Sequence, residues 1–192
     1  MSSSRRSPLA MAVLALVGEA PMHAYRMQQL IKERHKDEVV NVAQRNSVYQ
    51  TIDRLLRDGL LKIRETAREE NRPERTVYEL TDSGRDTLLQ WMRTMLSTPS
   101  REFPEFPAAL AFLPVLGPSD AREALEQRLV ALEAKLSALE TNLREGSKFL
   151  PRLFQIEDEY QREVLKAELA YVRGLVSDLR DEEITWPKGL VP

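Results

Sequence analysis

Apolar positions recur at helical spacing in the first half of the chain, then at alternate positions, then at helical spacing again. Residues 9–17 form a short, almost wholly apolar run stopped by Gly18 and Pro21, which predicts a core helix. A second helix is predicted over about 24–36, with Tyr25, Met27, Leu30 and Ile31 on one face. In a third, over about 46–58, Val48, Ile52, Leu55, Leu56 and then Leu60 follow i, i+4, i+7, i+8. Gly59 stands where a helix closes on a left-handed residue. Two starts fit this helix, Ser47 with Gln50 or Asn41 with Gln44, each a capping-box spacing. The period then falls to two: residues 61–65 and 76–80 alternate apolar and polar side chains, as half-buried strands do. Thr81 or Asp82 caps a fourth helix carrying Leu88, Leu89, Trp91, Met92 and Leu96. Helices followed by a hairpin make a winged helix-turn-helix order.

Residues 97–107 contain three prolines and read as a connector. Beyond them a short apolar helix over 108–113 breaks at Pro114 and Gly117-Pro118, and Asp120 with Glu123 suits the start of a long helix reaching about 145. Its leucines, Leu125, Leu129, Leu132, Leu136, Leu139 and Leu143, are spaced 4, 3, 4, 3, 4, a sustained heptad seam. The last helix, about 157–180, carries two stripes: Leu165, Leu169, Val172, Val176 and Leu179, and Tyr160, Val164, Ala167, Tyr171 and Leu175. One stripe can face the leucine seam; the other needs a further partner. The dimer interface is expected at the seam and at Leu165, Leu169, Val172 and Val176. The expected fold is mainly α with a small β-hairpin wing. It comprises a winged helix-turn-helix DNA-binding domain (1–96), the connector (97–107) and a helical dimerisation domain of long helices (108–192).

Composition changes this picture little. Hydrophobic content of 42% and charged content of 30% over 192 residues suit a globular chain with a real core. With no Cys, disulfide frameworks and thiolate chemistry are excluded. The net charge of −2 hides an asymmetry, +3 over residues 1–100 and −5 over 101–192, in the direction expected if only the first half meets a polyanion. No apolar run approaches the ~20 residues of a membrane helix, so no membrane partner and a cytoplasmic location are expected. Arg5, Arg6 and the apolar run up to Ala20 mimic a secretory signal; the first core helix is the preferred reading.

The candidate chemistry is nucleic-acid recognition. On the third helix the apolar side centres between Val48 and Ile52, leaving Asn46, Gln50, Asp53, Arg54 and Arg57 outward. Asn and Gln match adenine edges, and Arg matches guanine edges or phosphates. Base readout uses the N-terminal part of such a helix, which selects Arg45, Asn46, Ser47, Tyr49 and Gln50. In the wing loop Arg68, Arg72 and Arg75 can reach phosphates or the minor groove, but interleaved Glu69, Glu70 and Glu74 leave one or two of the three for that role.

Three stretches resemble the PadR family of transcriptional regulators: 21–25 (Pro-Met-His-Ala-Tyr), 47–61 (from Ser47-Val48-Tyr49 to Asp58-Gly59-Leu60-Leu61) and 75–85 (Arg-Thr-Val-Tyr-Glu-Leu-Thr-Asp-Ser-Gly-Arg). That pattern has a helix reading Ser-Leu-Tyr-x-x-Leu-x-x-Leu, then Gly-Leu, before a wing ending Tyr-x-Leu-Thr-x-x-Gly. The resemblance covers about residues 8–96, and the remainder is similar to the longer subfamily. It implies a homodimer formed by the C-terminal helices, Tyr49 at the DNA interface, and responsiveness to small molecules such as phenolics. The chain departs from the pattern at Ala24, where glycine is usual, and near Arg57, where an acid is usual.

Double-stranded DNA, a second copy and a small aromatic or hydrophobic effector are therefore the expected partners, with repression at a palindromic operator as the mechanism. An effector pocket could draw on Trp91, Trp186, Phe103, Phe106, Phe112 and Tyr171; plain packing explains the same residues. His23 and His35 have no second ligand at metal spacing and the glycines form no phosphate loop, so no cofactor, metal or enzymatic activity is expected. The alternative is a winged-helix scaffold that docks proteins rather than DNA.

Overall fold

Ser7 opens the first helix: its hydroxyl accepts the Ala10 N–H at 3.2 Å, and Pro8 occupies the first turn, where a missing N–H is harmless. This helix, α1 (Pro8–Glu19), lies in a computed structural model that describes residues 6–42, 47–67 and 75–186. The chain divides into two compact units, Met1–Arg101 and Glu102–Pro192.

In the first unit α1 buries Ala10, Val13, Leu14, Leu16 and Val17, so the signal-like run is the central core helix. A two-residue strand β1 (Met22–His23) leads into α2 (Ala24–Glu33), which buries Ala24, Met27, Leu30 and Ile31. Tyr25 is exposed, against expectation. It sits two residues, about 200°, from Met27 around the helix, and Ala24 takes its place inward. The helix also stops three residues early, where His35 turns left-handed (φ 54°) ahead of a 3-10 turn at Lys36–Glu38. Arg34 then grips Glu19 at 2.6 and 2.7 Å, tying the ends of α1 and α2, and its hydrogen bonds hold that carboxyl below the usual range.

Helix α3 (Ser47–Arg57) packs Val48, Thr51, Ile52 and Leu55 into the same core. Strands β2 (Leu61–Ala67) and β3 (Arg75–Leu80) pair antiparallel, and β1 joins the far edge of β3, giving the order β1-β3-β2. The sequence predicted the hairpin but not β1, which is too short to show a period. The register shifts between Ile63 and Glu65, so Arg64 is an extra residue. Alternation breaks there, and Ile63 is exposed instead of inward. Helix α4 (Asp82–Ser97) is capped by Thr81, whose hydroxyl accepts the Gly84 N–H, and buries Trp91. Leu89, Met92 and Leu96 of the expected apolar face are exposed.

The second unit comprises α5 (Glu105–Ala111), α6 (Pro118–Gly146) and α7 (Ile156–Arg180). Helix α6 starts at Pro118 rather than at a capped Asp120, because proline is pre-set for the first helical turn. Its seam faces α7: Leu125 and Leu132 are buried with Leu165, Leu169, Val172, Val176 and Leu179, while Leu129, Leu136 and Leu139 pack half-buried against them. Of the residues expected at the dimer interface, Leu125, Leu132, Leu165, Leu169, Val172 and Val176 are buried within one chain, which supplies both sides of the seam. Arg128–Glu168, Arg173–Glu133 and Arg180–Glu126 ion pairs bridge the two helices. The stripe left uncovered is the other one: Tyr160, Val164, Ala167 and Tyr171 are exposed. Among the described residues no helix is long and apolar enough to cross a membrane.

Candidate nucleic-acid interface

Two fixed points hold α3 against the wing. At its C-terminus Gly59 adopts φ +69°, the Gly59 N–H donates to the Leu56 carbonyl at 3.0 Å, and the Leu60 N–H donates to the Leu55 carbonyl at 2.9 Å. This is the Schellman pair of bonds, which satisfies carbonyls a helix end otherwise orphans. The Thr81 hydroxyl then donates to the Gly59 carbonyl at 2.8 Å and, at 3.1 Å, to that of Leu60, while the same oxygen caps α4. The end of α3, the start of β2 and the start of α4 are thus hydrogen-bonded at one point. Gly84 completes the joint: a Cβ on it would lie 2.1 Å from the Leu60 carbonyl oxygen.

Outward from this joint α3 presents Tyr49 (45% exposed), Gln50, Asp53 and Arg57. Ser47 is half-buried. Arg54 departs from the expected outward face. It is half-buried, its Nη2 reaches the Ser7 hydroxyl at 3.5 Å, and its Nε is enclosed without a partner. Gln44, Arg45 and Asn46, and the wing residues Arg68 and Arg72, lie outside the described residues. Arg75 is described only as the first residue of β3. Two cationic wing residues escaped the sequence reading, Lys62 and Arg64, both exposed on β2. Lys62 pairs with Glu79 at 3.4 Å, whereas Arg64 owes its position to the bulge, which no local pattern announces.

The joint between helix and wing is also visible electrostatically. Burial raises the Tyr78 phenol above its ordinary 10.0, and the Asp53 carboxylate and Tyr49 push the same way, against a hydrogen bond involving Thr76. Tyr49 therefore sits within electrostatic reach of the wing strand while keeping nearly half its surface free. A group whose folded pKa is raised contributes stability that is level below the unfolded value and is lost as pH rises through the folded one. Spectrophotometric titration is expected to show one of the five tyrosines ionising last, and Tyr78→Phe to remove that step. An unchanged curve would place Tyr78 in water. On the far side of β3, Nδ1 of His23 lies 3.1 Å from the Thr76 carbonyl oxygen, which gives this histidine a structural task.

Of the aromatic residues considered for an effector pocket, Phe106 and Trp186 pack against the same core of the second unit. Trp91 belongs to the first unit's core, and Trp186 donates to the Leu116 carbonyl at 2.8 Å. Phe106 stacks beneath the Arg128 guanidinium at 3.7 Å, and Phe103, Phe112 and Tyr171 are exposed. The groove at the turn joining α6 and α7 is charged in character, lined by Glu140, Arg144, Arg152, Glu159 and Arg162. Among the described residues no group of three or more His, Asp or Glu is placed to hold a metal ion.

Residues 13–90 match the family model of the transcriptional regulator PadR-like family. The negative transcriptional regulator PadR of Bacillus subtilis (strain 168) is 26% identical over 129 residues, 67% of this chain and 69% of that protein. In structure the chain is similar to Bacillus subtilis PadR in complex with operator DNA, at 20% identity and TM-score 0.71, covering 90% of this chain and 99% of that one. It is equally similar to the same protein in complex with p-coumaric acid, at 20% identity and TM-score 0.72, covering 90% and 98%. The winged-helix architecture and the long C-terminal helices are shared.

Proposed function

We propose that this chain, a member of the transcriptional regulator PadR-like family through residues 13–90, represses transcription as a homodimer bound to a palindromic operator. The observation that carries this is the exposed Tyr49–Gln50 face of α3, locked to the wing through Gly59 and Thr81. A rigid helix with a free polar face, beside a hairpin that exposes Lys62 and Arg64, is what major-groove reading needs. In this reading Tyr49 and Gln50, with Arg45, Asn46 and Ser47, read base edges. Arg57 and Arg64, and one or two of Arg68, Arg72 and Arg75, meet phosphates. Arg54 takes a supporting part, holding α1 to α3 through Ser7. A two-fold dimer sets two such helices about 34 Å apart, one turn of duplex, which makes the operator palindromic. The relative's complex with operator DNA supports the partner, and its designation as a negative regulator supports repression.

The complex of the same relative with p-coumaric acid supports release by a small aromatic acid. Such a ligand acts by binding one spacing of the two reading heads better than the other. Titrating a panel of phenolic acids into the DNA complex is expected to find one that dissociates it.

Selection of bound sequences from random duplexes, followed by anisotropy titrations, tests the DNA reading. Neutralising about six phosphates is expected to cut affinity on the order of a thousandfold between 50 and 200 mM salt. Gln50→Ala is expected to relax preference at one operator position per half-site, costing about 1–3 kcal/mol of discrimination there. Binding that ignores both salt and sequence would favour the protein-docking alternative.

A further inference from the structure

One residue at the centre of the exposed face of α3 has no part in the reading given so far. At about 100° per residue, Gln50, Arg57 and Asp53 lie about 200°, 180° and 140° round the helix from Val48. They stand opposite the buried side formed by Val48, Thr51, Ile52 and Leu55. All three are exposed, so whatever groove this face enters, Asp53 enters with it. A carboxylate there is out of character. DNA is a polyanion, and an acid carried into its groove is repelled unless it meets a hydrogen-bond donor.

The chain itself does not neutralise this acid. Arg57, one turn on, folds back to the helix, and its Nε donates to the Asp53 backbone carbonyl at 3.4 Å rather than to the carboxylate. On the wing, Lys62 is paired with Glu79 at 3.4 Å. Among the described residues no hydrogen bond or ion pair reaches the Asp53 carboxylate. Its charge is nonetheless felt at β3, where, after burial, it is the next cause of the raised Tyr78 phenol.

We propose that Asp53 is a specificity-determining residue that accepts a hydrogen bond from the N4 amino group of a cytosine in the major groove. This rests on the DNA reading of α3. An ionised aspartate can only accept hydrogen bonds. In the major groove guanine presents N7 and O6, both acceptors, and thymine presents O4. Adenine has an amino group but sets the N7 acceptor beside it. Cytosine alone presents a donor with no acceptor of its own next to it. Asp53 follows Gln50 by three residues, about 4.5 Å along the helix axis against about 3.4 Å per base pair. The cytosine therefore lies within about one base pair of the base that Gln50 reads. At a wrong site the carboxylate is desolvated against acceptors and phosphates with no donor to meet it. Asp53 thus lowers affinity for DNA in general while raising discrimination.

Selection from random duplexes, run in parallel on the unaltered protein, Asp53→Asn and Gln50→Ala, tests this. The unaltered protein is expected to fix a cytosine beside the position that Gln50→Ala relaxes. Asp53→Asn is expected to turn that cytosine into adenine, which an amide meets through N6 and N7, and to leave the rest of the half-site unchanged. In anisotropy titrations, replacing the cytosine by guanine or thymine is expected to weaken the unaltered protein at least about fivefold, a measurement that needs no protein variant. The same half-site selected with and without the carboxylate, or an Asp53→Asn that tightens on every sequence alike, overturns the proposal, because the carboxylate then only repels. If Gln50→Ala still relaxes its own position in that case, the DNA reading of α3 stands. An unaltered protein that selects no sequence overturns both.

Discussion

Gly84→Ala is expected to lower the melting temperature of the first unit by on the order of 15 °C and to abolish DNA binding. The new methyl carbon would fall 2.1 Å from the Leu60 carbonyl oxygen, a backbone atom with no rotamer to retreat into. Either α4 or the strand entry must move, and both are hydrogen-bonded through Thr81, which accepts from Gly84 and donates to Leu60. Overpacking of this kind costs about 3 kcal/mol, and a domain of this size loses about 4–8 °C per kcal/mol. Gly59→Ala is the control. It meets no neighbour but holds φ +69°, so it is expected to cost about 1 kcal/mol of backbone strain alone. Differential scanning calorimetry of the two variants separates the causes. Equal shifts would mean that α4 does not approach the strand entry as described.

A chain ended at Arg101 is expected to remain folded, to sediment as a monomer, and to bind operator DNA on the order of a hundredfold to ten-thousandfold more weakly. The first unit has its own core, built from Leu14, Met27, Ile31, Ile52, Leu55 and their neighbours, so truncation removes no part of it. What disappears is the second reading head, whose effective concentration multiplies affinity by that range without any new contact. The fragment should keep the same base preferences within a half-site, because α3 and its anchors are intact. A truncated chain that still sediments as a dimer would move the interface into the first unit.

Much of the first unit was legible along the chain. Gly59, the capping Thr81 and the switch of period at Leu61 are local signals, each set by a few neighbouring residues. The polar face of α3 followed from helical period alone, and Gln50, Asp53 and Arg57 are exposed on it. What local reasoning missed depends on distant neighbours. Arg54 has the composition of a DNA contact, but α1 lies close enough for it to reach Ser7. Strand β1 exists only because β3 offers an edge. Arg64 is exposed through a bulge that belongs to the pairing of two strands rather than to either one.

The second unit draws the line most sharply. Periodicity by itself determined that α6 carries one apolar seam and α7 two, and therefore that something must cover each. Which surface covers which was decided only in three dimensions. A heptad seam cannot distinguish a helix of its own chain from one of another, because both present the same side chains at the same spacing. A connecting turn of nine residues, 147–155, is enough to bring α7 back along α6, and an intrachain partner needs no second molecule. That pairing took the leucines and left Tyr160, Ala167, Tyr171 and Gly174 facing outward.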